Sequence, residues 1–181
     1  MNLLKTLENL IDRPETLGAP ERPEGLGRAG LLGYFAGTLG LFVFMRMQSA
    51  IPPGVASFLF VLLFVLAANF FFAGVMHLFM DLTGVRGSAS RLFLAFGCSD
   101  YLLTLLVPMG FFSGLDLLGG FIWLCLCLLA VVYARVRLVR RLYPVSTSKA
   151  LLSVWLPYAG FSLVFFAAFA YGLVWMIWLI M

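Results

Sequence analysis

A chain of 181 residues that is 63% apolar and only 11% charged, with a formal net charge of +4 and a mean hydropathy of +1.06, lies far above the roughly half-apolar composition of soluble domains. It reads as an integral membrane protein, and removing its apolar runs leaves no segment large enough for a soluble domain. That composition excludes water-soluble enzymes and nucleic-acid binders, because the few basic residues are those expected to flank membrane spans.

Residues 1–28 come first. In "NLLKTLENLI" the residues Leu3, Leu4, Leu7, Leu10 and Ile11 recur at helical spacing, with Lys5, Glu8 and Asn9 elsewhere on the wheel. The pattern predicts an amphipathic helix lying on a leaflet surface. It must break near Pro14, and "PETLGAPERPEGLG" reads as an irregular linker because Pro and Gly recur too often for a regular element. Mixed charges and the lack of an uninterrupted apolar run before a small-residue cleavage site argue against a signal peptide.

Residues 29–181 read as one all-α, polytopic domain of five transmembrane helices: Ala29 to Met45, Gly54 to Met80, Leu92 to Phe112, Leu117 to Ala134, and Leu152 to Met181. Each is of the order needed to cross a ~30 Å hydrocarbon core at ~1.5 Å per residue. The second and fifth are longer than that, so they tilt or project.

On the first span, Gly30, Gly33, Gly37 and Gly40 are spaced 3, 4 and 3 and share one face, where helix backbones can approach closely. That face packs against a neighbouring span, forms a homodimer seam, or opens as a lipid or ligand groove. After the second span comes "HLFMDLTGVRGSASRLFLAFGCSDY", which gathers the sole histidine with two aspartates and two arginines. Asp100 lies nine residues inside Arg91 and Asn69 twelve residues inside Asp81, depths of ~13 and ~18 Å. The two are therefore expected to face each other across an antiparallel hairpin. Near the boundary, His77 and Asp81 at i,i+4 with Arg86 and Arg91 suggest an ion-pair and hydrogen-bond cluster capping two helix ends. A proton relay or substrate path through Asn69, His77 and Asp100, or headgroup binding by the arginines, are the other readings.

Past the fourth span, "RVRLVRRLYP" can continue as helix until Pro144, offering Arg135, Arg137, Arg140 and Arg141 to lipid headgroups. Eleven of the twelve Lys and Arg fall in one alternating set of segments and only Arg46 in the other. By the positive-inside rule this sets the N-terminus in the cytoplasm and the C-terminus outside, with Trp175 and Trp178 near the outer interface. Cys98, Cys125 and Cys127 lie inside spans and read as small apolar filler. No catalytic, metal or cofactor motif is present: HExxH, GxSxG and Gly-rich phosphate loops are absent, and one histidine with scattered cysteines builds no metal site.

With "LIDRPETL" ahead of the first span, the "HLFMDLTGVRGSASRLFLAFGCSDYLLTLLVP" segment and five spans, most of the chain resembles the Ypt-interacting-protein (Yip) domain family in its short bacterial form. The resemblance implies a five-helix membrane domain without known catalysis, whose eukaryotic relatives act in vesicle trafficking with small GTPases. Where the family has a small-residue and Tyr-Ser pattern before the proline, this chain has "CSDY", so no family role passes to Asp100. With almost no cytoplasmic domain, a GTPase partner is not expected. The expectation is a non-enzymatic protein of the bacterial inner (cytoplasmic) membrane that organises lipids, copies of itself or other membrane proteins. The alternative is a small transporter, channel or lipid-moving protein using Asn69, His77 and Asp100.

Overall fold

The computed structural model describes residues 25–114 and 119–180. The amphipathic helix expected ahead of Pro14 lies wholly outside the described residues, as does most of the linker that follows it. The elements are α1 (Leu26–Met47), α2 (Val55–Leu82), α3 (Ala89–Asp100), a 3-10 segment (Tyr101–Leu105), α4 (Leu106–Ser113), α5 (Gly120–Leu142) and α6 (Thr147–Ile180). No strand forms among the described residues. Counting α3 through α4 as one span, five helices are long and apolar enough to cross a membrane, and the fold is a five-helix membrane bundle.

The third span, expected as one helix, is interrupted for a local reason. Pro108 has no amide hydrogen, and its ring crowds the carbonyl four residues back, at Thr104. The preceding turn tightens to i,i+3 bonding, with the Leu106 amide donating to the Leu103 carbonyl, while the Thr104 hydroxyl donates to the Tyr101 carbonyl at 2.7 Å. The fourth span does not stop at Ala134 but runs to Leu142, because the arginines and leucines that follow are good helix formers and the first breaker is Pro144.

The core falls into two apolar clusters. The larger joins Tyr34, Met76, Met80, Phe96, Val139 and Val154, among others, near the end of the bundle that carries the α2–α3 and α5–α6 connections. The smaller joins Phe44, Leu103, Leu106, Cys127 and Val131 toward the opposite end. On α3, Asp100 lies between Phe96 of one cluster and Leu103 of the other, and on α5 Arg135 follows Val131 and precedes Val139. A polar layer therefore sits at the junction.

The closest helix contact is α1 against α3. A methyl group on Gly30, Gly33 or Gly37 would run into the carbonyl oxygens of Leu94, Gly97 and Asp100 respectively, and one on Gly40 would lie 2.7 Å from the Leu103 carbonyl oxygen. Gly97 reciprocates against the Gly30 backbone. Two backbones touch here with no side chain between them, the arrangement that small residues permit in a membrane. At the other extreme, α6 meets α2 and α5 only through its first turns, where Ala150, Ser153 and Val154 are buried, and from Ala159 to Leu179 every residue is exposed.

Candidate functional site at the centre of the bundle

Asn69 and Asp100 do face each other: the Asn69 amide Nδ2 donates to Asp100 Oδ2 at 3.3 Å and to the Val65 carbonyl at 2.9 Å. Their company is larger than depth matching suggests. Arg135, on α5, points inward and its Nη2 donates to Asp100 Oδ1 at 2.7 Å and to Asn69 Oδ1 at 2.6 Å. Its Nη1 donates to the Tyr158 hydroxyl of α6 at 3.1 Å and its Nε to the Ser99 hydroxyl at 3.3 Å. The guanidinium also lies over the Phe96 ring, 4.8 Å from the centroid, a favourable cation–π position. Arg135 is 5% exposed and Asp100 1%.

This corrects the expectation that Arg135 belongs with the headgroup-facing cations. An arginine inside a membrane bundle is tolerated only when paired, and here its three nitrogens meet a carboxylate, an amide and two hydroxyls. The Asp100 carboxylate is matched in turn, since Ser99 Oγ also lies 3.4 Å from Oδ1. The network draws side chains from α2, α3, α5 and α6, and Gly37 of α1 packs on the Asp100 backbone. All five spans meet at this point. A buried ion pair gains little net energy over an apolar replacement, but removing one partner is expensive, so the layer acts mainly on which helices sit where.

The other expected cluster members lie elsewhere. His77 Nδ1 is hydrogen-bonded to the Tyr143 hydroxyl at 2.8 Å, near the larger core cluster rather than in the Asp100 network. Burial, and secondarily the charge of Asp81, pushes the Tyr143 phenol up to about 12, so it stays neutral at neutral pH. Asp81 and Arg86 are exposed, and Arg91 is half-buried at the start of α3. Backbone closes the α2 end: Gly84 adopts φ 79° and the Val85 amide returns to the Met80 carbonyl at 3.0 Å, a Schellman closure that favours glycine. Lys149 Nζ then donates to the Thr83 carbonyl at 3.3 Å, tying the first turn of α6 to this end.

Arg137, Arg140 and Arg141 remain at the outside of α5 and surround one cleft. Among the described residues no three His, Cys, Asp or Glu side chains are grouped to hold a metal ion. Cys98, Cys125 and Cys127 are free thiols, and Cys127 Sγ donates to the Leu102 carbonyl at 3.3 Å.

Sequence reasoning missed Arg135, Ser99 and Tyr158. A signal for Arg135 was available, because Cys127, Val131, Arg135 and Val139 recur every fourth residue and all four are buried. The residue continues an inward stripe, whereas Arg137, Arg140 and Arg141 fall off it. Compared with protein-family models, curated proteins and solved structures, the chain finds no match.

Proposed function

We propose that this chain is a non-enzymatic protein of the Yip type, resident in the bacterial inner membrane with its N-terminus cytoplasmic and its C-terminus outside. It organises lipids, further copies of itself or other membrane proteins through its helix faces and a basic cytoplasmic surface. The observation that carries this reading is that Asn69, Asp100 and Arg135 satisfy one another deep in the bundle. Asp100 is engaged by Arg135, Ser99 and Asn69, which suits a staple between helices better than a station on a transport path. The other arginines of α5, Arg137, Arg140 and Arg141, gather at one end of the helix, where anionic headgroups attract them by ~1 kcal/mol each.

The test is reconstitution into liposomes, with pH-dependent flux and lipid scrambling measured for the native chain and for Asp100→Asn. Neither activity is expected in either protein. Flux that Asp100→Asn abolishes would replace this reading with the transporter one. Reporter fusions at Gly25 and Met181 test the orientation, and a cytoplasmic signal at Met181 contradicts it.

A further inference from the structure

Two hollows on the membrane-facing side of α3 and α5 share a wall. One is a groove of about 510 Å³ whose apolar lining includes Cys98, Leu102, Leu105, Ala134 and Leu138, with Arg137 and Arg141 also bordering it. The other is a cleft of about 200 Å³ formed by Arg137, Arg140 and Arg141. The groove volume is in the ~300–1,000 Å³ range of small-molecule sites.

The layout is ordered along the membrane normal. Asp100 and Arg135 are in contact, which fixes the register of the antiparallel α3 and α5. From that level Arg141 lies six residues toward one end and Leu105 five toward the other, so cation and apolar tip are separated by ~19 Å at the α-helical and 3-10 rises. Among the described residues nothing neutralises the charged end: their carboxylates are Asp81 and Asp100, Asp100 is held by Arg135, and no described acid borders either hollow. Arg137 is held along the helix by the Tyr133 ring, 5.7 Å from its centroid. At the floor, Ser99 borders the groove and also receives Arg135 Nε.

We propose that these hollows form one site for an anionic phospholipid of the surrounding leaflet. Its phosphate is held among Arg137, Arg140 and Arg141, and one acyl chain lies along Leu102 and Leu105. Charge excludes a second copy as the favoured occupant, because a two-fold contact here would set arginines against arginines. The site deepens the lipid-organising role proposed above and rests on it: an occupied groove packs lipid against Ser99, next to the staple that joins four helices.

Native mass spectrometry of the full chain tests this, with phosphatidylglycerol and phosphatidylcholine of identical acyl chains titrated separately. One phosphatidylglycerol is expected to stay on each chain in preference to phosphatidylcholine. Retention should fall roughly thirty-fold in Arg137→Gln/Arg141→Gln, the scale of two lost cation–headgroup attractions. It should fall several-fold in Leu105→Gln, whose exposed side chain supports no core packing, and stay unchanged in Arg86→Gln. Equal retention of both lipids overturns the proposal, as does full retention in Leu105→Gln, which would mean headgroup attraction without a groove. Displacement by millimolar inorganic phosphate, or a doubled mass without lipid, overturns it too. These outcomes are separable from the flux assay, since proton flux with intact lipid retention would sink only the wider reading.

Discussion

The α1–α3 contact and the outer part of α6 are both apolar helix, yet among the described residues one is backbone against backbone and the other is exposed along its whole length. The two least apolar spans, α1 and the α3–α4 span, are the two most buried, whereas α6 has no buried residue in its most apolar stretch. In a soluble protein the ranking would run the other way. Lipid tails solvate Phe and Leu as well as another helix does, so apolarity gives no drive for helices to meet. Backbone approach through glycine and satisfaction of polar side chains do, and α1 and α3 have both. The outer part of α6 carries Phe161, Leu163, Phe165, Phe166 and Phe169 in exposed positions, and lipid is their natural partner.

The sharpest way to break this contrast is to remove half of the central pair. Asp100→Leu leaves Arg135 buried without its counter-charge and should cost about 3–5 kcal/mol, seen as a large loss of thermal stability in detergent. Asp100→Leu combined with Arg135→Met should recover most of that loss, and failure to recover would mean that Asp100 acts through something other than Arg135.

Next is the glycine face. Gly37→Leu drives a side chain into the Asp100 carbonyl, and overpacking of this kind should cost about 1–3 kcal/mol. Unchanged melting would show that α1 and α3 are not in backbone contact. Tyr158→Phe removes one hydroxyl from Arg135 Nη1 and should cost ~1 kcal/mol, a smaller shift because the other guanidinium bonds survive. The smallest effect is expected on α6 itself: nothing lies within 4 Å of a methyl group built at Gly172, so Gly172→Leu should change stability by no more than ~0.5 kcal/mol. A destabilisation comparable with Gly37→Leu would show that this part of α6 has a protein partner.

Much of the fold is legible because the bilayer imposes a length on every crossing, so the apolar runs give five helices, and counting residues from their ends brings Asn69 and Asp100 to one depth. The glycine spacing likewise identifies a face, but not which span it meets. That choice depends on three-dimensional packing and leaves no mark on α3 beyond Gly97. Arg135 is missed because hydropathy ends the fourth span just before it, and the positive-inside rule then treats every later arginine as a surface cation. The lone aspartate in the third span is the better guide, since a buried carboxylate demands a cation somewhere in the chain. The 3-10 turn is legible only once Pro108 is placed inside a helix rather than at its end.

The central network also has an order in time. A ribosome delivers the chain N-terminal end first, so Asn69 reaches the bilayer before Asp100, and Asp100 precedes Arg135 by 35 residues. During that interval the nascent aspartate has the Asn69 amide as its one deep side-chain partner from an earlier span. The guanidinium arrives with the fourth span, and the hydroxyl of Tyr158 with the fifth. The carboxylate thus lacks its counter-charge until the fourth span is in place, whereas the fifth adds only a neutral hydroxyl to a pair already made.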